Sequence, residues 1–236
     1  MTNTIAIARR ELLSYYKSFM FYVIAAAFLV MTGYFFAVSV AISHSSQVSQ
    51  VFPTMYTILL LISPILTMRL LAEEQRTGTI ELVLTSPVRD TELVVGKFLA
   101  GLGLLVSMLV LTGFYPLLLA MYGSPDRAGL IGGYLGALLF GGLAVAVGLF
   151  TSSLTANQIV AAVLSFAILL ILWVIDAISS IFTGGVGDIA SYLAVYTHFT
   201  DMTQGVIDSK DVVYFLTVIV GALFLTARSV ETRRWR

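Results

Sequence analysis

Between Ser18 and Met68 the chain runs for 51 residues without a single Asp, Glu, Lys or Arg. Each such charge costs about 2.5–3.5 kcal/mol at the centre of a bilayer on the insertion scale, so a stretch free of them suits lipid. One helix crosses with about 20 residues, which makes this stretch too long for one crossing and right for two. The polar run SHSSQVSQ, Ser43 to Gln50, divides it into spans of about 19–42 and 52–71. The whole chain is of the same kind: 58% of its 236 residues are apolar and 11% are charged. Soluble domains carry about 25% charged residues, so this chain is a membrane protein.

A third span follows Lys97, over about 98–122, and stops at Gly123, Ser124 and Pro125. A second charge-free stretch, Ala128 to Ile175, is 48 residues long and is divided by the polar TSSLTANQ, Thr151 to Gln158. That gives spans of about 129–150 and 158–182. The last apolar stretch, Val212 to Ala227, has only 16 residues; Lys210 and Arg228 can snorkel and extend it to about 210–227. With six spans, 11 basic residues fall on one side: Arg9, Arg10, Lys17, Arg69, Arg76, Arg89, Lys97, Arg228, Arg233, Arg234 and Arg236. Only Arg127 and Lys210 fall on the other. The positive-inside rule then puts both termini in the cytoplasm. The expectation is an all-α polytopic fold of six transmembrane helices, one membrane domain over 1–236. No cleaved signal peptide is expected, because the first apolar run exceeds the ~7–15 residues of such a core.

Two segments outside the spans carry pattern. In residues 3–17, Ile5, Leu12, Leu13 and Tyr16 fall on one helical face and Arg9, Arg10, Ser14 and Lys17 on the other, as in a helix lying at the interface. It is either a positive anchor or a lever that touches a partner. In the loop from Leu70 to Lys97, Gly78 can end a helix extended from span two, Thr79 can cap a new one, and Glu81 then meets its positive dipole end. Ile80, Val83 and Leu84 give that short helix an apolar edge, Pro87 stops it, and Asp90 or Thr91 can cap the helix that leads into span three. Such a helix is either a capped turn or a device that passes a push into the membrane.

The run E-E-x-x-x-G-T-x-E-L-x-L-T-S-P, Glu73 to Pro87, followed by Gly96 and Lys97, resembles the cytoplasmic coupling region of type-2 ABC transporter permeases. The resemblance extends to the six-span order with an elbow helix ahead of span one. It implies a short coupling helix that contacts a separate ABC ATPase subunit, with Glu73, Glu74, Gly78, Thr79, Glu81, Leu84 and Pro87 as the coupling residues. Arg9, Arg10 and Glu11 would belong to the elbow helix. It implies no catalytic residue and no cofactor in this chain, since the partner binds ATP. It also implies pairing with a second permease copy or a paralogue, contact with membrane lipid and with an accessory membrane or extracytoplasmic protein, residence in a prokaryotic inner membrane, and export. The segments ARRELLSYYKSF, HFTDMTQGVIDSKDVVYFL and SVETRRW are similar to the branch of the gliding-motility permease GldF and the copper-site maturation permease NosY. That branch leaves a second reading open, an ATP-driven force-transmitting or scaffolding subunit that moves no solute.

Other features have narrower meanings. Asp176 is the one acid well inside an apolar run; some nineteen residues along span five, about 28 Å, it lies near the outer surface. It is a hydrogen-bonded structural carboxylate or a gating group. His44, His198, Asp201 and Asp208 map to the outer side without metal-ligand spacing, so no metal site is expected. Gly129 with Gly133, and Gly132 with Gly136, let span four approach its neighbours closely. Pro64 and Pro116 are expected to kink spans two and three. In the segment 183–209, TGGVGD is followed by an expected short helix beginning near Asp188; the resemblance implies short helices that dip back into the outer leaflet here, with a surface-lying loop as the alternative. No G-x-x-x-x-G-K-[ST], H-E-x-x-H or cysteine occurs, and the net charge is zero, which removes nucleotide hydrolysis, zinc proteolysis, thiol chemistry and nucleic-acid binding.

Overall fold

The computed structural model describes residues 2–43, 51–79, 88–122, 126–181 and 192–234. Among them there is no strand. The helices are α1 (Thr2–Tyr16), α2 (Phe19–Ser43), α3 (Val51–Thr67), α4 (Arg69–Thr77), α5 (Asp90–Thr112), α6 (Phe114–Tyr122), α7 (Arg127–Leu154), α8 (Gln158–Ile181), α9 (Val195–Thr203) and α10 (Ser209–Arg234). Six segments are long and apolar enough to cross a membrane: Phe19–Ala41, Val51–Thr77, Asp90–Leu118, Arg127–Leu154, Gln158–Asp176 and Ser209–Thr232. The sixth, short by its charge-free run, becomes 24 residues because the helix carries through the charges at both ends.

Span four is the hub. Along α7 a Cβ on Gly133 would strike the ring of Phe52 on α3, one on Gly141 would strike Leu105 on α5, and one on Gly148 would strike the Thr67 hydroxyl on α3. On a further face, Gly132 and Gly136 meet Met202 and Phe199 of α9. The glycines thus serve close packing on several sides, where lipid gives no hydrophobic drive and contact must come from fit. Spans two, three and four are largely buried, whereas spans one, five and six turn most of their surface outward.

The two prolines sit differently in their spans. Span three breaks at Gly113, between α5 and α6, three residues before Pro116, which has no amide hydrogen to offer the carbonyl four residues back. Pro64 instead sits inside an unbroken α3, and span two breaks at Met68. The cause of that break lies on another helix and is described below.

The helix ends follow local chemistry. Asp126 caps α7 by accepting from the amides of Ala128 and Gly129 at 3.0 and 3.2 Å. Asn157 caps α8 through the amides of Ile159 and Val160. The start of α5 falls at Asp90, with Arg89 in the capping position; the Glu92 carboxylate reaches back to the Arg89 amide at 3.2 Å, so neither Asp90 nor Thr91 is the cap. Gly78 ends α4 in the left-handed conformation at φ +73°, a backbone shape that an L side chain adopts with difficulty.

The elbow helix α1 registers lengthwise along the start of α5. Asn3 bonds Glu92, Ile7 lies on Gly96 and Leu12 lies on Gly103. Its inner face is Thr4, Ile7, Glu11, Leu12 and Tyr15, while Ile5 and Leu13 are exposed. The apolar face expected from the sequence is therefore split between protein and surroundings. At this end of the molecule α1, α4, the start of α5, the end of α7 and the end of α10 come together, with Leu70, Leu71, Leu93, Val94, Leu149 and Val230 forming a small core beneath them. It is the basic end, since the larger group of Arg and Lys residues belongs to these segments.

Candidate functional site

The break in span two is built by Ser152 of α7. Its hydroxyl accepts from the amides of Leu71 and Ala72 at 3.0 and 2.8 Å and donates to the carbonyl of Met68 at 3.1 Å. A hydroxyl inserted into the helical ladder in this way satisfies groups that the kink would otherwise strand. Gln75 then donates to the carbonyls of Ser152 and Ser153 at 3.3 and 3.0 Å. Helix α4 is consequently fastened to the end of span four as well as to span two.

On its other side α4 carries two acids. Glu73 pairs with Arg69 one turn earlier, Nε to Oε2 at 2.7 Å and Nη2 to Oε1 at 3.0 Å, and Arg69 also reaches the hydroxyl of Ser18 at 3.4 Å. Glu74 turns inward to Lys97. The Lys97 ammonium, on a side chain only 1% exposed, lies 2.9 Å from Glu74 Oε1 and 2.8 Å from Glu11 Oε1. One cation therefore joins the elbow helix, α4 and the first turns of span three. Moving an ammonium out of water costs several kcal/mol, and two carboxylates offset that while leaving the trio one negative charge in surplus. Glu74 Oε2 is buried with no hydrogen-bond partner among the described residues.

Gly96 explains how α1 comes close enough. A Cβ there would lie 2.9 Å from the Cβ of Ile7 and 3.0 Å from the carbonyl of Thr4. Tyr15 donates to the carbonyl of Leu66 at 3.3 Å; burial, with the Glu11 carboxylate beside it, pushes its phenol up, so the hydroxyl keeps its proton. Between α1 and α4 a cavity of about 590 Å³ opens, with Arg10, Glu11, Glu73, Glu74, Thr79 and Lys97 in its wall. Thr79 and Val88, which flank residues 80–87 in sequence, both line it.

At the opposite end, Asp176 accepts a hydrogen bond from Thr197 on α9 at 2.5 Å. His198 sits buried between Asp211 Oδ1, 2.6 Å from its Nδ1, and the carbonyl of Tyr192, 3.0 Å from its Nε2. Its ring stacks on Tyr214 at 4.3 Å. Asp208 pairs with Lys210 at 3.3 Å. Among the described residues no three His, Cys, Asp or Glu side chains gather as a metal-binding group would.

A family model described as ABC-2 family transporter protein matches residues 41–228, which takes in spans two to five, most of span six and the whole segment from α4 to α5. The chain belongs to that family. It is a multi-pass membrane permease subunit of an ABC transporter, and permeases of this family work in general with an ABC ATPase and are not themselves catalytic. A search of curated proteins finds no match to the chain.

The ABC-2 permease brings together only part of the expected coupling set. Glu74 and Glu11 meet at Lys97, Glu73 turns to Arg69, Gly78 ends α4, and the Thr79 hydroxyl lies 2.9 Å from that of Thr77. Arg10 lines the cavity and Arg9 is exposed. Glu81, Leu84 and Pro87, with the short helix assigned to them, lie outside the described residues, as do His44 and the start near Asp188. Ser152 and the pairing of His198 with Asp211 escaped the sequence reading. Ser152 belongs to a polar run that reads as a divider between spans, and no local period reveals that one of its hydroxyls serves another helix.

Proposed function

We propose that this ABC-2 permease is the membrane half of an ATP-driven exporter and that it receives its drive through residues 73–87. The observation that carries the reading is the Lys97 junction. A push delivered to the chain between Thr79 and Val88 meets α4 and α5 where Lys97 already ties both to α1. The three elements then move as one body and take spans two and three with them. Closure of two ATPase subunits would act on two such bodies in a pair of permeases and change the gap between them.

The orientation follows the charge. By the six-span sequence count, 11 basic residues fall on the side of the junction and two on the other. The positive-inside rule then argues for a cytoplasmic junction, cytoplasmic termini and a cytoplasmic ATPase; a prokaryotic inner membrane rests on the family resemblance alone. The likeness of the two end segments to GldF and NosY supports that branch. Purification from the native membrane tests the reading: an ABC ATPase should accompany the chain. Glu81→Lys should leave insertion intact while weakening that association or separating ATP turnover from transport. Absence of any nucleotide-hydrolysing companion overturns the proposal. Flux of a solute into vesicles that contain both subunits separates export from a purely force-transmitting role.

A further inference from the structure

A cleft of about 530 Å³ opens between α2, α3, α8 and α9 at the end of the molecule away from the junction. Its wall combines one carboxylate, Asp176, with the aromatic side chains of Phe35, Trp173 and Tyr196. No Lys, Arg or His lines it among the described residues. Aromatic faces carry negative potential and attract organic cations, quaternary ammonium groups above all, and a carboxylate among them adds full charge to the same preference. An anionic or neutral head would gain neither.

The placement of the cleft indicates where such a cation comes from. Pro53 and Thr54 lie in the first turn of α3, and Asp176 lies near the last turn of α8, so the acid and rings sit at headgroup depth, where Trp and Tyr belong. Below them the floor is apolar, with Ile58, Leu61 and Met31. Phe35, Leu61 and Trp173 are 42%, 44% and 43% exposed, so the cleft opens sideways on the flank of spans one, two and five, the side by which a lipid would enter. Thr197 holds Asp176 Oδ1 at 2.5 Å and so fixes the carboxylate in the wall, and a quaternary ammonium needs no hydrogen bond from it, only its charge.

We infer that this cleft binds a membrane amphiphile with an ammonium head, its head against Asp176 and the rings and its chain along Leu61 and Met31. The inference rests on the exporter reading only in making such a molecule a candidate cargo; binding itself does not.

Trp173 is the reporter. The chain has two tryptophans, so Trp235→Phe leaves Trp173 alone in the cleft. The full chain is placed in nanodiscs of phosphatidylglycerol doped with either brominated phosphatidylcholine or brominated phosphatidylglycerol at equal fraction, and quenching of Trp173 is read. The expected result is a roughly three- to fivefold higher relative association for the choline head, lost in Asp176→Asn and kept in Asp176→Glu. Equal quenching by both lipids overturns the proposal, and this comparison needs no change at Asp176. No quenching by either also overturns it, because another chain then seals the face. Relief of the choline-lipid quenching by tetramethylammonium chloride supports recognition of the head, whereas binding of tetramethylammonium without any lipid preference overturns the membrane source. The discs hold no ATPase, so a negative result leaves the coupling reading standing, and a missing ATPase leaves the cleft standing.

Discussion

Glu11 of the elbow helix and Lys97 of span three, 86 positions apart in sequence, meet at 2.8 Å with the lysine almost wholly removed from solvent. A lysine at the mouth of a span ordinarily snorkels outward. Here it points into the protein, and the second carboxylate, from Glu74, makes that possible.

The junction should fail asymmetrically. Lys97→Met leaves Glu11 and Glu74 facing each other without a cation, and breaking a buried pair in this way costs about 3–5 kcal/mol. Adding Glu11→Gln and Glu74→Gln removes the stranded charges and should recover more than half of the loss. Thermal unfolding of the purified chain, read as a mutant cycle, checks this; a triple variant no better than Lys97→Met would show that the trio is not what holds α1.

Ser152→Ala removes the acceptor shared by the Leu71 and Ala72 amides. Leaving buried donors unmet costs about 1–3 kcal/mol, and the loss should be local to the break. Hydrogen exchange is expected to speed up at those two amides while the centre of α7 keeps its protection.

The six crossings were legible because lipid imposes one strong rule, the exclusion of charge over a helix length, and Gly78 was legible because a left-handed helix end needs glycine. The orientation of α1 was not. Ile5 and Leu13 are exposed and Leu12 packs on Gly103, yet all three are simply apolar in the sequence. At a membrane surface an apolar side chain suits lipid and protein alike, so periodicity finds the helix without saying which face meets which. A helix leading through Lys97 into span three was readable from Asp90 and Thr91, but the inward turn of the lysine was not: as the last charge before an apolar run it reads only as the border of the span. Its partners come from two distant segments, and no local pattern encodes them.

Gly132 gives a sharp steric test. A Cβ there would lie 2.0 Å from the carbonyl oxygen of Met202, a backbone atom that cannot swing away. Gly132→Ala should cost about 1–3 kcal/mol by forcing α9 off α7. Gly221 has nothing within 4 Å of the same added atom, so Gly221→Ala should be neutral or stabilise by roughly 0.5–1 kcal/mol. Thermal stability in detergent ranks the two, and equal losses would remove the packing explanation.

The absence of cysteine makes the sidedness of the permease directly measurable, because any thiol placed in the chain is the only one. Thr79 and Asp208 are both exposed and lie at opposite ends of the helix bundle. If the basic end is cytoplasmic, Thr79→Cys should resist a membrane-impermeant maleimide in intact cells and react after permeabilisation, while Asp208→Cys should react in both. Thr79 follows Gly78, whose left-handed conformation ends α4, so its labelling reports the side on which α4 and the part of the coupling segment it carries lie. Reaction of Thr79→Cys in intact cells would place that segment outside, beyond reach of any ATPase, and the exporter reading would then have no source of thrust.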